Sequence, residues 1–395
     1  MSTVKKIVHD FADIWIAVEH QQGCQYYYGG TRMSPPQTTD VEVVQEIERL
    51  MLFESALKNR LINIALGEPL FQSYEDQLPQ NFTKSVVGGA RCIFRPRDEK
   101  TYAILRDPKH ECFHEVLRSL FFSVGEFLNR ESGSIKLTPD FGRFSGLADI
   151  LAEFTPHVLG IRCEDGGCGG KSSYSSTGVL AALQTTGAIQ HKDQAITLIG
   201  SAGAMGSGIL AFFSQESFRN LAICDLVYDR GTAPAFSGYV VVLPSTEKMF
   251  TEACLRQGGT IVATTLGREL ENSAWQLIPP DTRFFLAHNL AIPQGEEGVQ
   301  LMRKLDEQGV EVWPGQILTL GGALTSRLEW FWRQSKQGVP FNKPLAHRVV
   351  REVVQFLVLE NQKIAAQKGI SPYEAMLLYA GSLMDSNAWL SPTVT

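Results

Sequence analysis

The chain has 395 residues, of which 44% are hydrophobic and 20% charged, a composition that excludes disordered and fibrous proteins. A formal net charge of −6 leaves no overall basic footprint, which argues against nucleic acid as the main partner. The seven cysteines are scattered and odd in number, so neither a disulfide framework nor a zinc ribbon is expected, and a cytoplasmic location is. Asp10 and Asp13 interrupt the apolar positions of the N-terminus, unlike a signal peptide, and no stretch reaches the length of a membrane span.

Residues 7–33 alternate around Ile14–His20 and end in YYYGGTRM, which predicts sheet followed by a glycine turn. Apolar residues at helical spacing (Val41, Val44, Ile47, Leu50, Leu52, Leu57, Leu61) then predict one long helix with a single break. The polar segment 67–84 reads as a loop, SVVGGARCIFR as a strand, 109–130 as an amphipathic helix and IKLTPDFGRF as a strand ending in a loop. A helix over 143–154, a strand over His157–Ile161 and a glycine-rich loop over 165–171 follow.

A helix after Ser175 leads to the most informative stretch, 195–225. Ala195–Ile199 is a β-branched run, Ser201–Gly208 is rich in small residues, an apolar helix continues from Ile209, and the strand Leu221–Cys224 ends at Asp225. This is the strand, glycine turn, helix and terminal acid of a dinucleotide site, written Ser201-x-Gly203-x-x-Gly206 with serine in place of the first glycine. The helix start, with Ala204, Met205 and Gly206, would face the pyrophosphate, and Asp225 would accept from a ribose hydroxyl. A carboxylate there favours NAD over NADP, because it would repel a 2′-phosphate. Two more buried strands, YVVVLPS and GGTIVATTLG, continue the α/β pattern, and helices occupy about 324–384.

Two other motif matches are set aside. His110-Glu111-x-x-His114 has the zincin spacing, but no third ligand is evident, and the histidines read as surface residues; no metal is expected. Gly170-Lys171-Ser172 ends like a phosphate loop, but Asp165 stands where the leading glycine belongs, so the loop reads as a flexible link at a domain boundary.

A third set of motifs recurs in a fixed order: GGTRM at 29–33, Lys58, GGAR at 88–91, TPDFG at 138–142, SSYSSTGV at 172–179, and GQILTLGGAL after Trp313. The order, over roughly residues 25–325, resembles the glutamate/leucine/phenylalanine/valine dehydrogenase family of amino-acid dehydrogenases. The resemblance implies a substrate carboxylate beside Gly29 and Gly30, paired with Lys58. It implies a proton-shuttling carboxylate at Asp140 and a nicotinamide contact at Ser175. Pro244 and Ser245 match a turn that touches the cofactor ribose, with TTLG at 264–267 competing for nearby roles. Arg91 stands where the family has its catalytic lysine, and an arginine cannot take the acid–base role of an amine with a lowered pKa. Thr319 and Leu320 replace the asparagine and alanine of an N-A-G-G segment, and Leu320 would crowd or redirect the pocket, which points to a non-standard substrate and specialised metabolism.

The expected architecture is α/β with two domains and a cleft between them: a substrate domain over 1–150, completed by C-terminal helices 325–395, and a Rossmann-type cofactor domain over 151–324. The expected activity is that of an NAD-dependent oxidoreductase, amino-acid dehydrogenase-like, acting on an amino acid, its 2-oxo acid or the imine. The alternatives are an imine or carbonyl reductase without deamination, and an inactive nucleotide-binding homologue. A homo-oligomer with a small-molecule substrate, and neither nucleic acid nor membrane as partner, completes the expectation.

Overall fold

The computed structural model describes all residues except Met1, Gln22, Ser73, Glu75, Gly142, Arg143, Ser145, 229–239, 244–251, 266–269, 271–273 and 382–395. The chain forms two compact units, Met1–Lys171 with Ala323–Ala346, and Ser172–Gly322 with His347–Thr395.

The first unit is built on a five-stranded sheet in the order β1-β2-β4-β3-β5, from β1 (Ser2–Val8), β2 (Ala12–Glu19), β3 (Tyr26–Met33), β4 (Val87–Pro96) and β5 (Ile135–Thr138). β1, β2 and β4 pair antiparallel, whereas β3 runs parallel to both β4 and β5. Alternation along the strands sorts the two faces. Ile14, Ile16, Ala90, Cys92, Phe94, Ile135 and Leu137 share a core with Leu117 and Phe121 of the helix Phe113–Arg130. On the other face a β-carbon at Gly89 would meet Ala56 at 2.6 Å, so the helical run Asp40–Leu66 lies directly against β4 there.

The expected glycine turn in YYYGGTRM is instead the middle of β3. A β-carbon at Gly29 would stand 1.5 Å from the Ala90 carbonyl oxygen, so glycine is needed for close approach between strands and not for a turn. The expected break in the 40–66 helix is no gap either. Helices Asp40–Leu50 and Leu57–Leu66 are joined by a π-helical turn, Met51–Ala56, of the kind that often marks functional sites. The expected strand over His157–Ile161 reduces to one bridge, Leu137 to Val158. Gly160 adopts φ +89°, and the amides of Gly160 and Ile161 donate to the buried Glu329 carboxylate, which leaves no ladder to continue.

The second unit carries a six-stranded, all-parallel sheet: β6 (Ile196–Ile199), β7 (Leu221–Cys224), β8 (Val240–Val242), β9 (Thr260–Ala263), β10 (Arg283–Leu286) and β11 (Glu311–Trp313). Its order, β8-β7-β6-β9-β10-β11, is the 3-2-1-4-5-6 order of dinucleotide-binding sheets, whose switch point lies between β6 and β9. β10 and β11 were not among the strands expected from sequence.

The compact units divide at Lys171/Ser172, whereas the sequence placed the first boundary at 150/151. Residues 151–171 stay with the first unit because Glu329 accepts from the amides of Gly160, Ile161 and Cys168. The C-terminal helices were expected to complete the substrate domain, yet residues 347–381 pack in the second unit. The His347 ring stacks on Tyr174 at 4.5 Å and its Nδ1 lies 2.8 Å from the Thr177 hydroxyl. Arg303 donates to Glu374 from the helix Pro372–Tyr379 in the same unit. No helix among the described residues is long and apolar enough to cross a membrane.

Candidate active site

In the first unit the site grows from β3 and β4. Thr31 pairs with Cys92, which places Gly30 beside Arg91, and a β-carbon at Gly30 would stand 2.4 Å from an Arg91 guanidinium nitrogen. The Arg91 side chain therefore lies across the bare surface of Gly30. Its Nη2 donates to Glu54, which the π turn carries onto this face, and the Arg32 guanidinium is 3.6 Å from the same carboxylate oxygen.

Lys58, one helical turn after Glu54, completes the cluster, and Glu54, Lys58 and Arg91 are each only 6% exposed. Burial lowers Lys58 to about 8, against the attraction of Glu54 and with help from Arg91 and Arg32. Burial alone would raise Glu54, but Arg91, Lys58 and Arg32 outweigh it and hold the carboxyl below its ordinary value. With three cationic side chains around one carboxylate, the cluster keeps an excess of positive charge and favours a further anion. Arg91 Nε is buried without a hydrogen-bond partner.

Asp140 is exposed and lies two residues beyond Thr138, the last residue of β5 and the partner of Gly30. The structure thus gathers Gly29, Gly30, Lys58 and Arg91 around one patch of sheet, with Asp140 in the loop that leaves it.

The second unit positions its residues at the carboxyl ends of β6 and β7. Gly200 makes the tight turn, at φ +80°, and a β-carbon there would meet the Thr264 hydroxyl at 2.8 Å. That explains the serine at 201: the left-handed position belongs to Gly200. Ser201 is buried, with its hydroxyl 2.7 Å from that of Tyr228, so its side chain braces the turn. Gly206 needs its missing side chain, because a β-carbon would be 2.1 Å from the Gly200 carbonyl oxygen. Gly203 caps the helix Ala204–Gln215 without a side-chain acceptor, and Gly203 and Ala204 are exposed while Met205 is half-buried. Asp225 follows β7 and accepts from the Ala202 amide at 2.9 Å, which fixes the carboxylate beside the turn.

Ser175 is half-buried on the helix Ser172–Thr185. Its neighbour Ser176, not singled out from sequence, donates to the Met205 carbonyl at 3.0 Å and ties this helix to the turn. The Thr319 hydroxyl lies 2.7 Å from the Gly315 carbonyl and 3.0 Å from Asn289 Oδ1, and Leu320 is wholly buried. Pro244 and Ser245 lie outside the described residues.

The two rejected motifs have structural roles. His110 sits in a turn before the helix, where its Nδ1 accepts from the Cys112 amide at 3.1 Å, and the His114 ring packs edge-on to Phe113 and Phe144. In the glycine-rich loop, the Cys168 amide donates to Glu329. Sequence reasoning missed Glu54, although its spacing of four from Lys58 is the usual signal of a helical ion pair. Arg32 was quoted within GGTRM, but nothing in the sequence aims it at Glu54.

No family model and no curated protein matches the chain in sequence. Solved structures do match it. A tryptophan dehydrogenase from Nostoc punctiforme aligns with TM-score 0.63 and 14% identity, over 98% of this chain and 96% of that one. The hetero-hexameric glutamate dehydrogenase of Thermus thermophilus aligns with TM-score 0.67 and 15% identity, over 100% and 90%. The glutamate dehydrogenase of Peptoniphilus asaccharolyticus aligns with TM-score 0.63 and 16% identity, over 98% and 91%. Amid this low identity, the chain carries the two-domain α/β fold of the amino-acid dehydrogenases.

Proposed function

We propose that the protein is an NAD-dependent oxidoreductase acting on a 2-amino acid, its 2-oxo acid or the corresponding imine. The observation that carries this reading is the Gly200–Gly206 turn, with Asp225 beside it, at the switch point of a 3-2-1-4-5-6 sheet. The uncapped helix start suits a pyrophosphate: the amides of Ala204, Met205 and Gly206 point along the helix dipole, and Gly203 has no side chain to obstruct approach. Asp225 would accept from the ribose hydroxyls, and Ser175 would meet the nicotinamide carboxamide. Ser201 acts through the turn that it braces. When bound, NAD supplies the hydride acceptor.

The excess positive charge around Gly30 supports a substrate carboxylate there, drawn by Lys58 and Arg91. Asp140, exposed in the loop after β5, would carry the amine proton. A second reading, reduction of a preformed imine without deamination, is favoured by Arg91 itself, which is locked onto Glu54 and cannot shuttle protons.

The test is NAD reduction with a panel of 2-amino acids, alongside NADH oxidation with 2-oxo acids plus ammonia and with cyclic imines. NAD should bind at least tenfold more tightly than NADP, and Asp225→Ser should abolish that preference while the protein stays folded. Tighter binding of NADP by the wild type would overturn the cofactor assignment. Activity on imines alone would select the second reading. Light scattering should show a homo-oligomer.

A further inference from the structure

The row of the sheet that carries Arg91 continues past Gly30. Gly30 pairs with Thr138 on β5, and in parallel strands paired residues present their side chains to the same face. Arg91, Gly30 and Thr138 therefore stand side by side across three neighbouring strands. The amine of Lys171 donates to the Thr138 hydroxyl, and the Lys171 side chain also lies near the position of a β-carbon at Gly160. With about 4.8 Å between strands, Arg91 and Thr138 stand on backbones roughly 10 Å apart, the guanidinium lying over Gly30 and the Lys171 amine on the Thr138 hydroxyl beyond it.

We infer that Lys171 and Arg91 form a carboxylate clamp across the Gly30–Thr138 row of the sheet, with Lys171 as a substrate-binding residue. The inference rests on the proposed function and names the side chains that would touch the substrate's carboxylate. Three features support it. Gly30 has no β-carbon, which lets the Arg91 guanidinium lie across it, next to Thr138 in the same row. Arg91 spends Nη2 on Glu54 but keeps a buried Nε without a partner. Lys171 is half-buried, and its bond to Thr138 uses one of three ammonium donors, leaving the others for a ligand. A planar guanidinium on one side and a compact ammonium on the other suit a carboxylate better than either alone. The same lysine ends the sequence that resembles a phosphate loop; the amide of Cys168 in that loop is taken by Glu329, whereas the lysine reaches the sheet.

Binding without turnover tests this. Pyruvate, phenylpyruvate, indole-3-pyruvate and 2-oxoglutarate are titrated by calorimetry, in the absence of cofactor, against wild type, Lys171→Gln, Lys171→Arg and Thr138→Val, with NAD titrated separately. For whichever 2-oxo acid binds the wild type, Lys171→Gln should weaken binding 10- to 100-fold and Lys171→Arg less than about fivefold, with NAD affinity unchanged. Thr138→Val, which keeps the amine but frees it, should lose about 3- to 10-fold. The preference for the oxo acid over its carboxamide should shrink in Lys171→Gln. If a 2-oxo acid binds and Lys171→Gln stays within threefold of wild type, the clamp is wrong and the proposed function stands. If the wild type binds NAD but no 2-oxo acid, the substrate half of the proposed function falls, and the clamp with it.

Discussion

Lys136→Met should stabilise the protein at neutral pH by on the order of 3 kcal/mol and flatten its stability profile between about pH 7 and 10. Lys136 is fully buried on β5, and burial lowers it to about 7 from an ordinary 10.5. Its amine donates to the Gly133 carbonyl and lies 4.0 Å from the Trp330 ring and 4.4 Å from that of Tyr26. These contacts offset part of the cost of a buried ammonium but supply no opposite charge. Above about pH 7 the folded chain releases the proton, while the unfolded chain holds it up to about 10.5. The unfolded state therefore binds more protons across that window, and stability rises with pH through it. Below it both states carry the proton, and the folded state bears the full cost. Methionine has similar length and no charge, so the slope should vanish with it. Lys58, lowered to about 8, adds its own slope in wild type and variant alike, so the difference between their urea midpoints from pH 6 to 10 is the measurement. Equal slopes in the two proteins would show that Lys136 is not the source.

Glu329→Ala should cost about 3–5 kcal/mol and lower the melting temperature by roughly 10 °C. Glu329 is fully buried and accepts from the amides of Gly160, Ile161 and Cys168 at 2.8–3.3 Å, with Arg333 3.7 Å away. Hydrogen bonds to a charged acceptor are the stronger kind, and removing the carboxylate strands three donors at once. Glu329→Gln keeps one carbonyl oxygen but introduces donors facing donors, so it should recover only part of the loss. The loop that these amides organise ends at Lys171. Either variant should therefore also weaken 2-oxo acid binding, measured below its melting transition, with NAD affinity unchanged. A stable Glu329→Ala variant, with a melting temperature within about 2 °C of wild type, would mean that the loop is held by other contacts.

Both effects depend on charges placed where the sequence does not announce them. Lys136 lies in a run, IKLT, that reads as an ordinary strand, and its burial arises because Tyr26 and Trp330 come from distant parts of the chain to cover it. Glu329 lies in LGGALTSRLEWFWRQS, where an acid on a helix reads as a solvated face; it is buried because the 160–168 backbone turns its amides inward. The GGTRM glycines were legible as important but not as strand, because only the pairing of β3 with β4 makes a β-carbon at Gly29 collide with Ala90.

What the sequence determined by itself was local. The β-branched run Ile196–Ile199, the glycines before Ala204–Gln215 and the acid after Leu221–Cys224 specify a strand, turn and helix through short-range sterics and apolar patterning. The order of glycine motifs likewise pointed to the dehydrogenase fold that the structure carries. Tertiary structure alone decided which glycine bends the turn, Gly200 and not position 201, because that depends on how β6 leaves the sheet beside Thr264. It alone decided that Arg91 is held by Glu54 and that Lys171 reaches Thr138. These pairs lie 37 and 33 residues apart, and electrostatic contact acts through space, which linear spacing does not encode.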